Sequence, residues 1–224
     1  MEGRRIVRSK WLMAGAVGVV ALAFIAGVAI YKERSAQQAA GAAQAGSEAL
    51  VRAHAPVFGN PQAQVTIVEF FDPSCETCRA FYPLVKSIVN ASFGQVRLVL
   101  RYAPLHPGSD RAVQILEAAR LQGQYWPALE RALADQPRWA AHGNPQPELI
   151  WESIADTGLD MAKARADAGS PAIADALRQD IADMKALQVR ATPGFFVNGR
   201  PLTDFGEAQL RALVNEELAK VRKP

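Results

Sequence analysis

The chain of 224 residues holds two cysteines, Cys75 and Cys78, and both fall in "DPSCETCR", residues 72–79. Scattered at random over this length, two cysteines would take this spacing about once in a hundred trials, roughly 221 of some 25,000 pairs. The spacing therefore calls for a chemical reason. A Cys-x-x-Cys at the start of a helix is a place where a thiol gains reactivity. The first cysteine lies beside free amide N–H groups and the positive end of the helix dipole, which stabilise a thiolate. The second, one turn on, points back and can resolve a mixed disulfide. A structural disulfide is a poorer use of the pair, because so short a loop restrains the unfolded chain very little. A structural zinc site wants four ligands, and His54, His106 and His142 are scattered without ligand spacing. A two-thiolate Cu(I) site stays open, since soft thiolates select that ion.

The elements around the pair favour redox chemistry. "VTIVEFF", Val65–Phe71, is a short run of β-branched and aromatic residues suited to a central strand covered on both faces. Asp72, Pro73 and Ser74 break it. The stretch after Cys75 places Cys78, Phe81, Tyr82, Val85, Ile88 and Val89 at helical spacing, with Pro83 as a kink or the start of a new turn. "VRLVLRY", Val96–Tyr102, is a second strand. Strand, cysteine turn, helix and strand make a βαβ unit with parallel strands, and a C-x-x-C beside such a unit reads as a redox motif.

From about residue 110 to 187 the pattern is helical, cut by Gly and Pro, and opens at Ser109 and Asp110 as a capping pair. Strand character returns at "GFFVNGRPL", where Asn198-Gly199 signals a hairpin. "EAQLRALVNEELAKV" closes the chain as an amphipathic helix. The order is strand, helix, strand, helical block, hairpin, helix, an α/β thioredoxin-like fold with an inserted helical domain. Half of the residues are hydrophobic and 21% charged, an ordinary globular balance. A net charge of +3 without a long basic run beyond the first ten residues argues against nucleic acid as a partner.

The N-terminus carries a different signal. Residues 1–10 hold Arg4, Arg5, Arg8 and Lys10 against the single acid Glu2, and Trp11 to Ile30 carry no charge. A helix over that stretch rises about 30 Å, the thickness of a bilayer's hydrocarbon core. Trp11 and Tyr31 stand at its ends, where interfacial aromatics belong. The expectation is a cytoplasmic segment over 1–10 and a single transmembrane anchor over 11–31. An Ala-rich tether follows over 32–55, and a folded domain over 56–223 with its helical insertion at about 106–188. The excess of positive charge before the span keeps the N-terminus inside and exports the rest. A cleaved signal peptide is the rival reading, with small residues at Ala39, Ala40 and Ala43, although its apolar region normally runs about 7–15 residues. Both send the domain to the periplasm or cell exterior.

"VEFFDPSCETC", the later "ATPGFFVNG" and the helical block between them resemble the DsbA-like thioredoxin-fold thiol:disulfide oxidoreductases, over about Pro56 to Val221. The resemblance implies that Cys75 is the attacking thiolate and Cys78 its buried partner, together a redox-active disulfide. It implies that Pro193, after Thr192, forms a cis-proline loop offering backbone groups to an extended substrate, with Thr192, Glu76 and Thr77 beside that substrate. Glu69 matches the family's buried acid, which relays a proton from Cys78; the alternative is an edge-strand acid facing water. The implied substrates are thiols and disulfides of exported proteins. A membrane or periplasmic redox partner resets the pair, and no separate cofactor is needed. Glu76 and Thr77 depart from the strongly oxidising members, which carry proline and histidine there. Ionised, Glu76 disfavours a neighbouring thiolate, so a milder oxidant is expected. His106 reads as a plain loop histidine in preference to one beside the site, and Arg79 as a solvated helix residue in preference to one that steadies thiolate charge. Trp126, Trp139 and Trp151 read as core or groove-lining residues.

Overall fold

Strand β2, Val65–Phe71, runs between two partners at the middle of a five-stranded sheet. A computed structural model describes residues 46 and 48–222. In it, β1 (Val57–Gly59), β2, β3 (Val96–Tyr102), β4 (Gly194–Val197) and β5 (Arg200–Pro201) take the order β1-β3-β2-β4-β5. β2 and β3 are parallel, joined by helix α1 (Glu76–Ala91), as the βαβ pattern requires. β4 adds antiparallel to β2, with Glu69 opposite Phe195. The β4–β5 hairpin turns at Asn198 and Gly199, with φ of 47° and 84°. Such positive values at both turn residues are why Asn-Gly suits the position. The short β1, antiparallel to β3, went unread in the sequence.

Alternation along β2 divides the core. Val65, Ile67 and Phe71 face one cluster with Val85 and Ile88 of α1 and with Leu210 and Val214 of α8 (Glu207–Val221). Val68 and Phe70 face the other, with Met184 of α7 (Pro171–Ala186). A side-chain period of two places Glu69 on the α1 side. Between β3 and α7 lie α2 (Ser109–Arg120), α3 (Tyr125–Ala134), α4 (Gln136–Trp139), α5 (Ile150–Ser153) and α6 (Met161–Asp167). Trp139 and Trp151 are fully buried there, while Trp126 packs edge-on against Phe58.

Helix α1 continues through Pro83. Two expectations need correction. Ser109 does not cap α2. Gly108 holds that place in a left-handed conformation, and the Ser109 hydroxyl donates to Asp72. The tether boundary at residue 55 falls too late. Ala49, Leu50 and Ala55 are buried, and Leu50 and Ala55 join the Val68 cluster. This segment is held by polar partners that hydropathy does not reveal. Arg52 pairs with Asp183 at 2.8 Å, and His54 lies 2.6 Å from Asp180. Both carboxylates also hold the buried Arg101 of β3, each at 2.7 Å, and Arg101 reaches the Ala49 carbonyl. The span expected over 11–31 lies outside the described residues, among which no helix is long and apolar enough to cross a membrane.

Candidate active site

The sheet ends abruptly at the cysteines. Asp72, the residue after β2, is fully buried, and its side chain gathers the turn. Its Oδ1 accepts from the Ser74 N–H at 2.9 Å, and its Oδ2 from the N–H groups of Leu105 and His106 at 2.7 and 2.9 Å. The Cys75 N–H donates to the Asp72 carbonyl at 3.0 Å. This fixes where α1 starts, with Cys75 at its N-cap in an extended conformation. A serine or aspartate at that place would accept from a first-turn amide. Here the sulfur does so: Cys75 Sγ accepts from the Cys78 N–H at 3.5 Å.

Both thiols are free, and their surroundings differ. Cys75 is 5% exposed and Cys78 fully buried. The Cys75 thiol is lowered to about 5, first by a hydrogen bond from the Cys78 side chain, which outweighs burial, and further by Thr192 and the N–H groups of Cys78 and Thr77. Cys78 is pushed up beyond the range of ordinary thiols, by burial first, then by its bond to Cys75 and by the charge of Glu69. The two sulfurs thus share one proton, kept on Cys78, and the ready anion sits on Cys75.

Glu69 is fully buried on the central strand, which removes the edge-strand alternative. Neither carboxyl oxygen has a hydrogen-bond partner among the described residues. Burial, with a smaller push from Cys75, raises it to about 8. The Thr192–Pro193 peptide bond is cis. As a thiol, Cys75 donates to the Thr192 carbonyl at 3.4 Å, so that loop and the cysteine turn are in direct contact. A groove of about 510 Å³ opens beside them, lined by Thr77, Arg190, Thr192, Pro193, Phe195 and Phe205 among others. Phe81 of α1 lies 4.7 Å from the Phe205 ring, continuing the aromatic wall. Glu76 is exposed, with His142 at 3.5 Å, and so faces water rather than the sulfur alone.

Gln136 and the anchoring role of Asp72 escape the sequence reading, which places His106 away from the site. Gln136 of α4 is buried, and its Nε2 donates to the carbonyls of Pro73 at 2.7 Å and Cys75 at 3.1 Å. It ties the helical insertion to the cysteine turn. His106 stands at the turn and not apart from it, its Nδ1 2.7 Å from Asp72 Oδ2. Both lie far from the cysteines in sequence, and no local motif announces either. Arg79 lines a second cavity, of about 450 Å³, with Tyr82, Pro83 and Glu130.

A thioredoxin family model matches residues 52–216. The crystal structure of a thioredoxin-like oxidoreductase from Silicibacter pomeroyi DSS-3 is similar at 30% identity, covering 79% of this chain and 98% of that one, with a TM-score of 0.65. The catalytic domain of Proteus mirabilis ScsC shares the fold at 19% identity, covering 80% and 98%, with a TM-score of 0.67. A Na(+)/H(+) antiporter, NhaA of Herminiimonas arsenicoxydans, is 35% identical over 159 residues, which are 70% of this chain and 24% of the antiporter. The chain thus spans about a quarter of the length of that curated relative.

Proposed function

Because the chain belongs to the thioredoxin family, we propose that it is a thiol:disulfide oxidoreductase acting on exported proteins through Cys75 and Cys78. The observation that carries this reading is the asymmetry of the two thiols, one lowered to about 5 at a helix N-terminus and the other buried and held protonated behind it. That arrangement suits a nucleophile and a resolving group.

In the oxidising direction, a substrate thiolate attacks Cys75 Sγ of the Cys75–Cys78 disulfide. The Cys78 sulfur leaves with the bonding pair and takes a proton. Glu69, raised to about 8 and bearing on Cys78 through its charge, would give one. A second substrate thiolate attacks the substrate sulfur of the mixed disulfide and releases Cys75 as its stable thiolate. The substrate loses two electrons, the protein gains them, and a redox partner takes them away. In the reducing direction the Cys75 thiolate attacks a substrate disulfide, and Cys78, its proton passed to Glu69, resolves the mixed species. Thr192, in contact with Cys75, the Pro193 that follows it, and the groove they line with Thr77 would hold the extended substrate chain.

The anchor over 11–31 and a catalytic domain outside the cytoplasm belong to the same proposal. They rest on the charge and apolar pattern of the N-terminus. Ion transport is a property named for relatives of which this chain matches about a quarter, and it forms no part of the proposal. A Cu(I) site on the same dithiol is the alternative, and it would take both sulfurs as thiolates. Reduction of insulin and reoxidation of a reduced, unfolded substrate by the purified protein test the reading. Catalysis in either assay that disappears in Cys75→Ser is expected. Stoichiometric Cu(I) binding with neither activity overturns it.

A further inference from the structure

No histidine lies between the cysteines, yet the fold brings one to the turn that carries them. His106 follows β3 in the loop that leads to α2. Its Nδ1 and its backbone N–H both engage Asp72 Oδ2, at 2.7 and 2.9 Å. The same aspartate grips the redox turn from its other oxygens: Oδ1 accepts from Ser74 and the carbonyl from Cys75. One buried residue therefore fixes both the imidazole and the backbone that presents Cys75. His106, Ser74 and His142 line a common cavity of about 160 Å³. With Nδ1 held by a carboxylate, Nε2 is the nitrogen left to gain or lose the proton.

We propose that His106, oriented by Asp72, is the charge partner of the Cys75 thiolate, and does from the loop after β3 what a histidine between the cysteines would do. The proposal rests on the redox reading above. His106 acts on Cys75 through its charge and is a positioning residue, with no contact to substrate required. The groups that bear on its own charge are Asp72, Cys75 and Glu76, with His142 in the same cavity. Burial lowers its proton affinity, but Asp72 and then Cys75 and Glu76 raise it overall above the ordinary 6.5. Coupling of this kind is reciprocal. The imidazolium steadies the thiolate, and the thiolate steadies the imidazolium. Forming the Cys75–Cys78 bond removes the thiolate, so His106 must hold its proton less tightly in the oxidised protein.

The test is an NMR titration of the His106 ring in the full chain in detergent, reduced and then oxidised, with His106→Gln measured beside it. The expected result is a lower His106 pKa after oxidation. In His106→Gln, whose amide can still donate to Asp72, the Cys75 ionisation constant should fall about threefold to tenfold while the thermal midpoint barely moves. Identical His106 titrations in the two redox states, or an unchanged Cys75 ionisation in the variant, would overturn it. The titration of the unmodified protein decides even where the variant misfolds. A dithiol that never exchanges with glutathione defeats the redox reading itself. A dithiol that exchanges while His106 stays indifferent defeats this inference alone.

Discussion

At the scale of single residues, the site is a problem of where protons and charge reside. Glu69 is raised to about 8 chiefly because burial penalises its anion. A carboxyl raised above its unfolded value binds more protons folded than unfolded between those two values. Its stabilising share is therefore full below about pH 4.5 and lost as pH climbs through about 8. Each pH unit in that window costs about 1.4 kcal/mol. Glu69→Gln removes this dependence, so urea unfolding of the variant should show stability gained over the native protein as pH rises from 5 to 8. The same variant should slow release of Cys78 from the mixed disulfide, measured by stopped-flow exchange with glutathione. Glu76 belongs at this scale too. Its side chain is 69% exposed, with His142 near, so water screens it. Glu76→Gln should move the glutathione exchange equilibrium toward the more oxidising side by less than about threefold. A larger change would show that Glu76 acts on the thiolate directly.

At the scale of elements, buried polar groups decide how the pieces meet. Arg101 of β3 bridges Asp180 and Asp183 of α7 with no exposure of its own. Replacing it by methionine takes the buried cation from between two carboxylates, which keep only the half-buried Arg52 and His54, and a loss of about 3 kcal/mol, the low end for breaking a buried pair, is expected in denaturant unfolding. Gln136→Leu keeps the volume but strips the Pro73 carbonyl of its donor, while Cys75 keeps the Arg79 amide. It should cost about 1–3 kcal/mol, and raise the Cys75 pKa by loosening the N-cap, read by thiolate absorbance against pH. These residues also mark where the sequence stopped being legible. Val65–Phe71, Val96–Tyr102 and Glu207–Val221 were readable to the residue, because apolar periodicity and Gly or Pro boundaries are local signals. The cysteine pair was readable for the same reason. Gln136, His106, Asp72 and the docking of residues 49–55 were not, since each depends on a polar partner more than thirty residues away. Polar residues carry no periodic mark that tells a buried bridge from a solvated surface.

At the scale of the whole molecule, the two redox forms of the one fold should differ in stability. Cys75 falls from 9.0 to about 5 on folding. A depressed value contributes stability that is fully present above about pH 9 and lost as pH falls through about 5. Cys78, pushed the other way, stays protonated in both states below about pH 8. The burial of Glu69 is common to both redox forms and cancels in their difference. The reduced protein should therefore unfold at a higher temperature than the oxidised one at pH 8, with the gap narrowing toward pH 4 in calorimetry. That gap is the driving force with which the disulfide is passed to a substrate. The measurement that bears most directly on the whole account is the alkylation rate of Cys75 in the reduced protein against pH, resolved by mass from Cys78. Half-maximal reactivity near pH 5, with Cys78 unlabelled, is the predicted result. A midpoint near that of free cysteine, or equal labelling of the two thiols, contradicts it.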